Sequence, residues 1–90
     1  DDSCGGNTFH GGVSVSSNRG GVELGSNTIT GSLTVSGNSG ASGEDLHPEV
    51  ESNHIGTSLI CPSNSPAAIN DGHANTVGGS RIGDCSAPGF

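Results

Sequence analysis

NTITGSLTVSGN, running from Asn27 to Asn38, sets three apolar side chains, Ile29, Leu33 and Val35, among small polar ones. The same phrase returns as NTFHGGVSVSSN from Asn7, NHIGTSLICPSN from Asn53 and, shortened, NTVGGSRIGDC from Asn75. Aligned on the first asparagine, the copies lie 20, 26 and 22 residues apart. Two positions after that asparagine come Phe9, Ile29, Ile55 and Val77; six after come Val13, Leu33, Leu59 and Arg81. Eight after come Val15, Val35, Cys61 and Gly83. These offsets share a parity, so on an extended chain they face one side. Arg81 breaks its column. Offset four holds Gly11, Gly31, Thr57 and Gly79, which reads as a bend with no room for a side chain.

A second short apolar segment precedes the copies. VELGSN (22–27) matches PEVESN (48–53), making Leu24 and Val50 equivalent, and AAIND around Ile69 is the expected counterpart before the fourth copy. Each period then holds two or three short strands joined by Gly, Ser and Asn corners. No window carries a 3.6-residue period, and glycine and β-branched residues dominate, so no helix is expected. The pattern predicts an all-β fold: a parallel β-helix, or β-solenoid, of about four coils starting near residues 7, 27, 53 and 75. Residues 39–50 form an insertion, and 1–90 make a single domain. Coils in such a stack lie about 4.8 Å apart. Asn7, Asn27, Asn53 and Asn75 then form one column, and Asn18, Asn38 and Asn64 another. Asparagine tolerates a left-handed corner, and its amide can donate to the amide carbonyl of the next coil.

Composition alone points the other way. Leu, Ile, Val and Phe total 17 of 90 residues, Phe9 and Phe90 are the only aromatics, and the formal charge is −7. A globule with one central core cannot form from so little. A stacked repeat escapes that limit, because each coil needs only a few inward side chains. Arg19 and Arg81 are the only cations besides histidine. That excludes the clustered Lys or Arg that phosphate recognition requires, and disfavours an anionic membrane surface. No apolar run is long enough to span a bilayer. The chain lacks Met, Trp, Tyr and Lys, and its start, DDSC, fits a mature exported chain or a piece of a longer one. The expected location is extracellular or at the cell surface.

The asparagine-cornered coils resemble the right-handed parallel β-helix (pectate-lyase-like) superfamily. Over about residues 20–87, and most clearly in NTVGGSRIGDC, the chain is similar to small exported actinobacterial β-helix proteins. The resemblance implies the coil and its hand. It brings no activity with it: the superfamily includes polysaccharide lyases and hydrolases, and a shared fold leaves function open.

Register bears on the three cysteines. Cys61 is at offset eight of the third coil and Cys85 at offset ten of the fourth, both of inward parity on adjacent coils. A small shift brings them within bridging range. Cys4 is left over, either paired with another chain, or with a partner outside this stretch, or buried and inert.

The acidic cluster GEDLHPEVESNH places Glu44, Asp45, His47, Glu49, Glu51 and His54 in or beside the insertion. Glu23 and Glu49 are equivalent on neighbouring coils, so with Asp45 they form a candidate Ca²⁺ site, since stacked carboxylates repel unless a proton, water or cation separates them. The plainer reading is a solvated acidic loop. His10, His47, His54 and His73 lack metal spacing. Thr8, Thr28 and Thr76 share offset one, with His54 interrupting, which raises a glycan- or ice-binding surface.

A short solenoid leaves an unpaired edge at each end, and neither terminus carries an amphipathic or charged cap. Either DDSCGG and DCSAPGF fold over the ends, or the ends meet other copies, which for unlike ends makes a filament. The expected function is therefore a non-enzymatic secreted structural module that self-assembles end to end with other copies. Phe9, Val13 and Val15 form one end, and Val77, Arg81 and Ile82 the other, with Arg81 set against Asp1 or Asp2. No cofactor is expected beyond the candidate Ca²⁺. The alternatives are a binding module for Ca²⁺ or a glycan on the 44–51 loop, or an enzyme using those acids on a polysaccharide.

Overall fold

The computed structural model describes residues 6–40 and 46–90. Cys4, Asp45, Asp1, Asp2 and Glu44, named above, lie outside the described residues. The first coil contributes β1 (Thr8–Phe9) and β2 (Val13–Ser16), and the second β3 (Glu23–Gly25), β4 (Thr28–Ile29) and β5 (Leu33–Ser36). The third contributes β6 (Glu49–Glu51), β7 (His54–Ile55) and β8 (Leu59–Cys61), and the last β9 (Thr76–Val77) and β10 (Arg81–Gly83).

These strands stack into parallel walls. The first wall runs β1–β4–β7–β9, the second β2–β5–β8–β10, and the third pairs β3 with β6. Every strand pairing is parallel, in the register Phe9–Ile29–Ile55–Val77 and Val13–Leu33–Leu59–Arg81. The fold is thus a β-solenoid of about three turns, in which four copies of the phrase bound three full periods. Its core is the stacked inward columns: Ile29, Leu33, Val35, Val50, Ile55, Leu59 and Cys61 are all buried. Leu33 and Leu59 have no exposed surface, and burying each contributes about 2 kcal/mol. On the outermost described strands Phe9 is 39% exposed, and Ile82, register partner of the outward-facing Ile60, is 47% exposed.

Two local expectations need correction. The left-handed corner is not asparagine. It is the residue before it: Ser17, Ser26, Ser52 and Ser63, with φ of 55–60°, and Gly37 at 63°. A serine there costs roughly 1–2 kcal/mol. The bend at serine leaves the asparagine free to aim both its backbone N–H and its amide along the stack. The second correction is one of register only: AAIND stacks on β6 as expected, but Ile69 pairs with Glu49 rather than with Val50. It is half-buried, while Ala68 takes the core position. A one-residue change of register exchanges the two faces of a strand.

The bend at offset four is partly as expected. A Cβ on Gly31 would sit 2.7–2.8 Å from the backbone of Gly11 and Gly12 in the preceding rung. Thr57 nevertheless fits at the same offset by pointing outward, where its Oγ1 donates to the Thr30 carbonyl at 3.4 Å. Glu23 follows Asn18 by five positions and Glu49 follows Asn38 by eleven, so the residues that lengthen the second period lie between Asn38 and β6.

Sulfurs of Cys61 and Cys85 lie at disulfide distance, with Cα atoms 5.6 Å apart. Gly83 is the register partner of Cys61. A 3-10 turn, Asp84–Ser86, then swings Cys85 back into the core, where it is fully buried.

Candidate functional site

Two features of the stack carry chemistry: the asparagine columns with their ends, and the acidic third wall.

In the first column Asn27 donates to Oδ1 of Asn53 from its backbone N–H at 2.9 Å and from Nδ2 at 3.1 Å. Asn53 treats Asn75 in the same way, at 2.9 and 3.0 Å, and Asn7 treats Asn27 so at 3.0 and 3.3 Å. The second column repeats the scheme from Asn18 to Asn38 and from Asn38 to Asn64. Each corner therefore sends two donors to one carbonyl in the following coil. Asn38 and Asn53 are 1% exposed, and a buried amide is tolerated only when its bonding is met. Among the described residues no buried side-chain nitrogen or oxygen lacks a partner.

Since every asparagine-to-asparagine donation runs in the same direction, the two ends differ. At the last rung the first column finishes on Phe90, whose carbonyl accepts from the Asn75 N–H at 2.8 Å and from its Nδ2 at 2.9 Å. The second finishes on Asp84, whose Oδ2 accepts from Asn64 Nδ2 at 3.2 Å and from the Ala68 N–H at 3.1 Å. Neither a carbonyl nor a carboxylate passes a donor onward. At the first rung, among the described residues, no donor reaches Oδ1 of Asn7 or Asn18.

The residues expected at the ends fall where the register puts them. Phe9 is exposed and Val13 and Val15 half-buried on the first rung; Val77 is half-buried and Arg81 and Ile82 exposed on the last. Arg81 turns its Nη2 to the Asn75 carbonyl at 3.3 Å. At the last rung DCSAPGF folds over the end, one of the two alternatives the sequence left open, and Phe90 is only 6% exposed.

On the third wall Glu23 and Glu49 are register partners, and Gly25 faces Glu51. Carboxylate oxygens of Glu23, Glu49 and Glu51 lie within 4.8 Å of one another. Glu51 is 3% exposed and His73 Nδ1 lies 3.2 Å from its Oε2. Gly25 lies beside it, and a Cβ there would make only ordinary contact, 3.8 Å from Glu51 Oε1. Hard cations take oxygen ligands of this kind. Glu23 and Glu49 thus come together as expected, and Glu51 joins them. The signal for Glu51 was its two-residue spacing from Glu49, which puts both on one strand face.

His47 packs elsewhere, with Nδ1–H donating to the Ala67 carbonyl at 2.8 Å. His54 stands between Thr28 and Thr76 in the exposed column that begins with Thr8. No described helix is long and apolar enough to cross a membrane.

Comparison with protein-family models, with curated proteins and with solved structures finds no match to this chain.

Proposed function

We propose that the chain is a non-enzymatic structural module that associates end to end with further copies of itself. The observation that carries this reading is the complementarity of the two ends of the asparagine column. Asn75 holds the same donor pair that Asn53 presents to Asn75, and Asn7 Oδ1 is an acceptor no described residue uses. A second copy stacked in register would repeat a contact already made within the molecule, and would cover Phe9, Val13 and Val15. An exported or cell-surface location agrees with the cysteine pair, which persists in oxidising compartments. Kinship with pectate-lyase-like β-helices belongs to the same proposal, on the pattern in residues 20–87. Sedimentation and electron microscopy over a range of concentrations test association. The expected result is concentration-dependent elongated assembly, lost when Val15→Lys places a charge on the first rung. Discrete single particles under all conditions, also in a variant lacking residues 87–90, would refute it.

A second reading rests on the third wall, where three carboxylates converge: a Ca²⁺ site on Glu23, Glu49 and Glu51. A bound ion raises the melting midpoint, so an unchanged midpoint in Ca²⁺ removes this reading.

A further inference from the structure

We infer that the Ala87–Phe90 segment is a built-in substitute for the first rung of a second copy, and that head-to-tail stacking starts only when it moves aside. The inference rests on the assembly proposal and concerns its control.

The geometry of the substitution is direct. Inside the column, Asn53 N–H and Nδ2 reach Asn75 Oδ1 at 2.9 and 3.0 Å. At the end, Asn75 N–H and Nδ2 reach the Phe90 carbonyl at 2.8 and 2.9 Å. A backbone carbonyl has taken the position where a following asparagine would put its own. The same two hydrogens cannot serve Asn7 of another copy while Phe90 holds them.

Besides the Asn75 bonds, the segment is held by Asn70 and by its one buried ring. Asn70 Nδ2 donates to the carbonyls of Gly89 at 2.8 Å and Phe90 at 3.3 Å, and the Phe90 ring is buried. Ala87, Pro88 and Gly89 are exposed, and a cleft of about 300 Å³ opens between the segment and Ala74 and Arg81. An incoming first rung would offer more: the Asn7 carbonyl together with β1 against β9 and β2 against β10. The occupant argued for is therefore a second copy, because its Asn7 and β1 repeat the step that Asn75 and β9 already make with the coil before them.

The test compares the full chain with a variant lacking residues 87–90 and with Phe90→Ala, which keeps the chain length but removes the buried anchor. Circular dichroism and mass spectrometry of the Cys61–Cys85 linkage establish that each is folded. The concentration at half-assembly, from sedimentation, is expected to fall at least about tenfold in either variant. Adding Val15→Lys to each is expected to return discrete particles. Equal assembly of the full chain and both folded variants would overturn the inference while leaving end-to-end association standing. Assembly that survives Val15→Lys would overturn it as well, since the contact would not then involve the first rung. No assembly by any of them would remove the association proposal itself, and the inference with it.

Discussion

A single amide does three jobs at Asn53. It accepts two hydrogens from Asn27, donates to Asn75, and donates from Nδ2 to the Leu24 carbonyl at 2.8 Å. Asn53→Ala would strand the Asn27 donors and the Leu24 acceptor in a buried place, at a cost of about 3 kcal/mol. Asn7→Ala on the open rung should cost under about 1 kcal/mol, because its own carbonyl serves no described donor. Urea unfolding of the two variants checks the contrast, and equal losses would contradict the role of the column. The columns were legible in the repeat because asparagine returns in phase with the apolar residues. What periodicity could not show was which residue bends. Serine in the left-handed region is unusual enough that Asn was the natural choice. The preference is overridden because an asparagine occupied by the bend cannot also aim both donors up the stack.

Strands of two to four residues are unstable alone and exist here only as rungs. The third wall shows how that limits reading from sequence. VELGSN and PEVESN share length and parity, so β3 and β6 were foreseeable, and their register brings Glu23 beside Glu49. AAIND offers two small residues before its isoleucine, so the sequence does not distinguish Ala68 inward from Ile69 inward. Stacking on Pro48 and Glu49 decides it, as the bond from Ile69 N–H to the Pro48 carbonyl at 2.9 Å shows. The same wall yields a charge prediction. Without Ca²⁺, Glu49→Gln relieves repulsion in the group and should raise the melting midpoint; with Ca²⁺, the variant should lose any shift the parent displays. Calorimetry with and without the ion reads both. A variant less stable than the parent in chelator would show that the Glu49 carboxylate is needed for its own bonds.

At the scale of the molecule, stability should fall from the middle outward. Apart from Cys85, the central coils hold the fully buried side chains, and the first coil exposes Phe9. The pair Cys61–Cys85, separated by 24 positions, fastens the last coil to the third. Cys85→Ser should cost about 3 kcal/mol. It should strip amide-exchange protection from β10 before β8, and simultaneous loss throughout would mean the coils melt as one unit. Repetition made the solenoid readable from 90 letters and left a DCSAPGF cap open as one alternative, whereas the atoms that close the last rung were not legible. Phe90 and Asp84 occur once each in that role, in positions no earlier copy foreshadows. One consequence concerns dimensions. Because every interior step uses the same pair of bonds, the stack has no preferred count of storeys. Splicing in another Asn27–Ser52 unit would lengthen the rod by about 4.8 Å and leave both façades as they were.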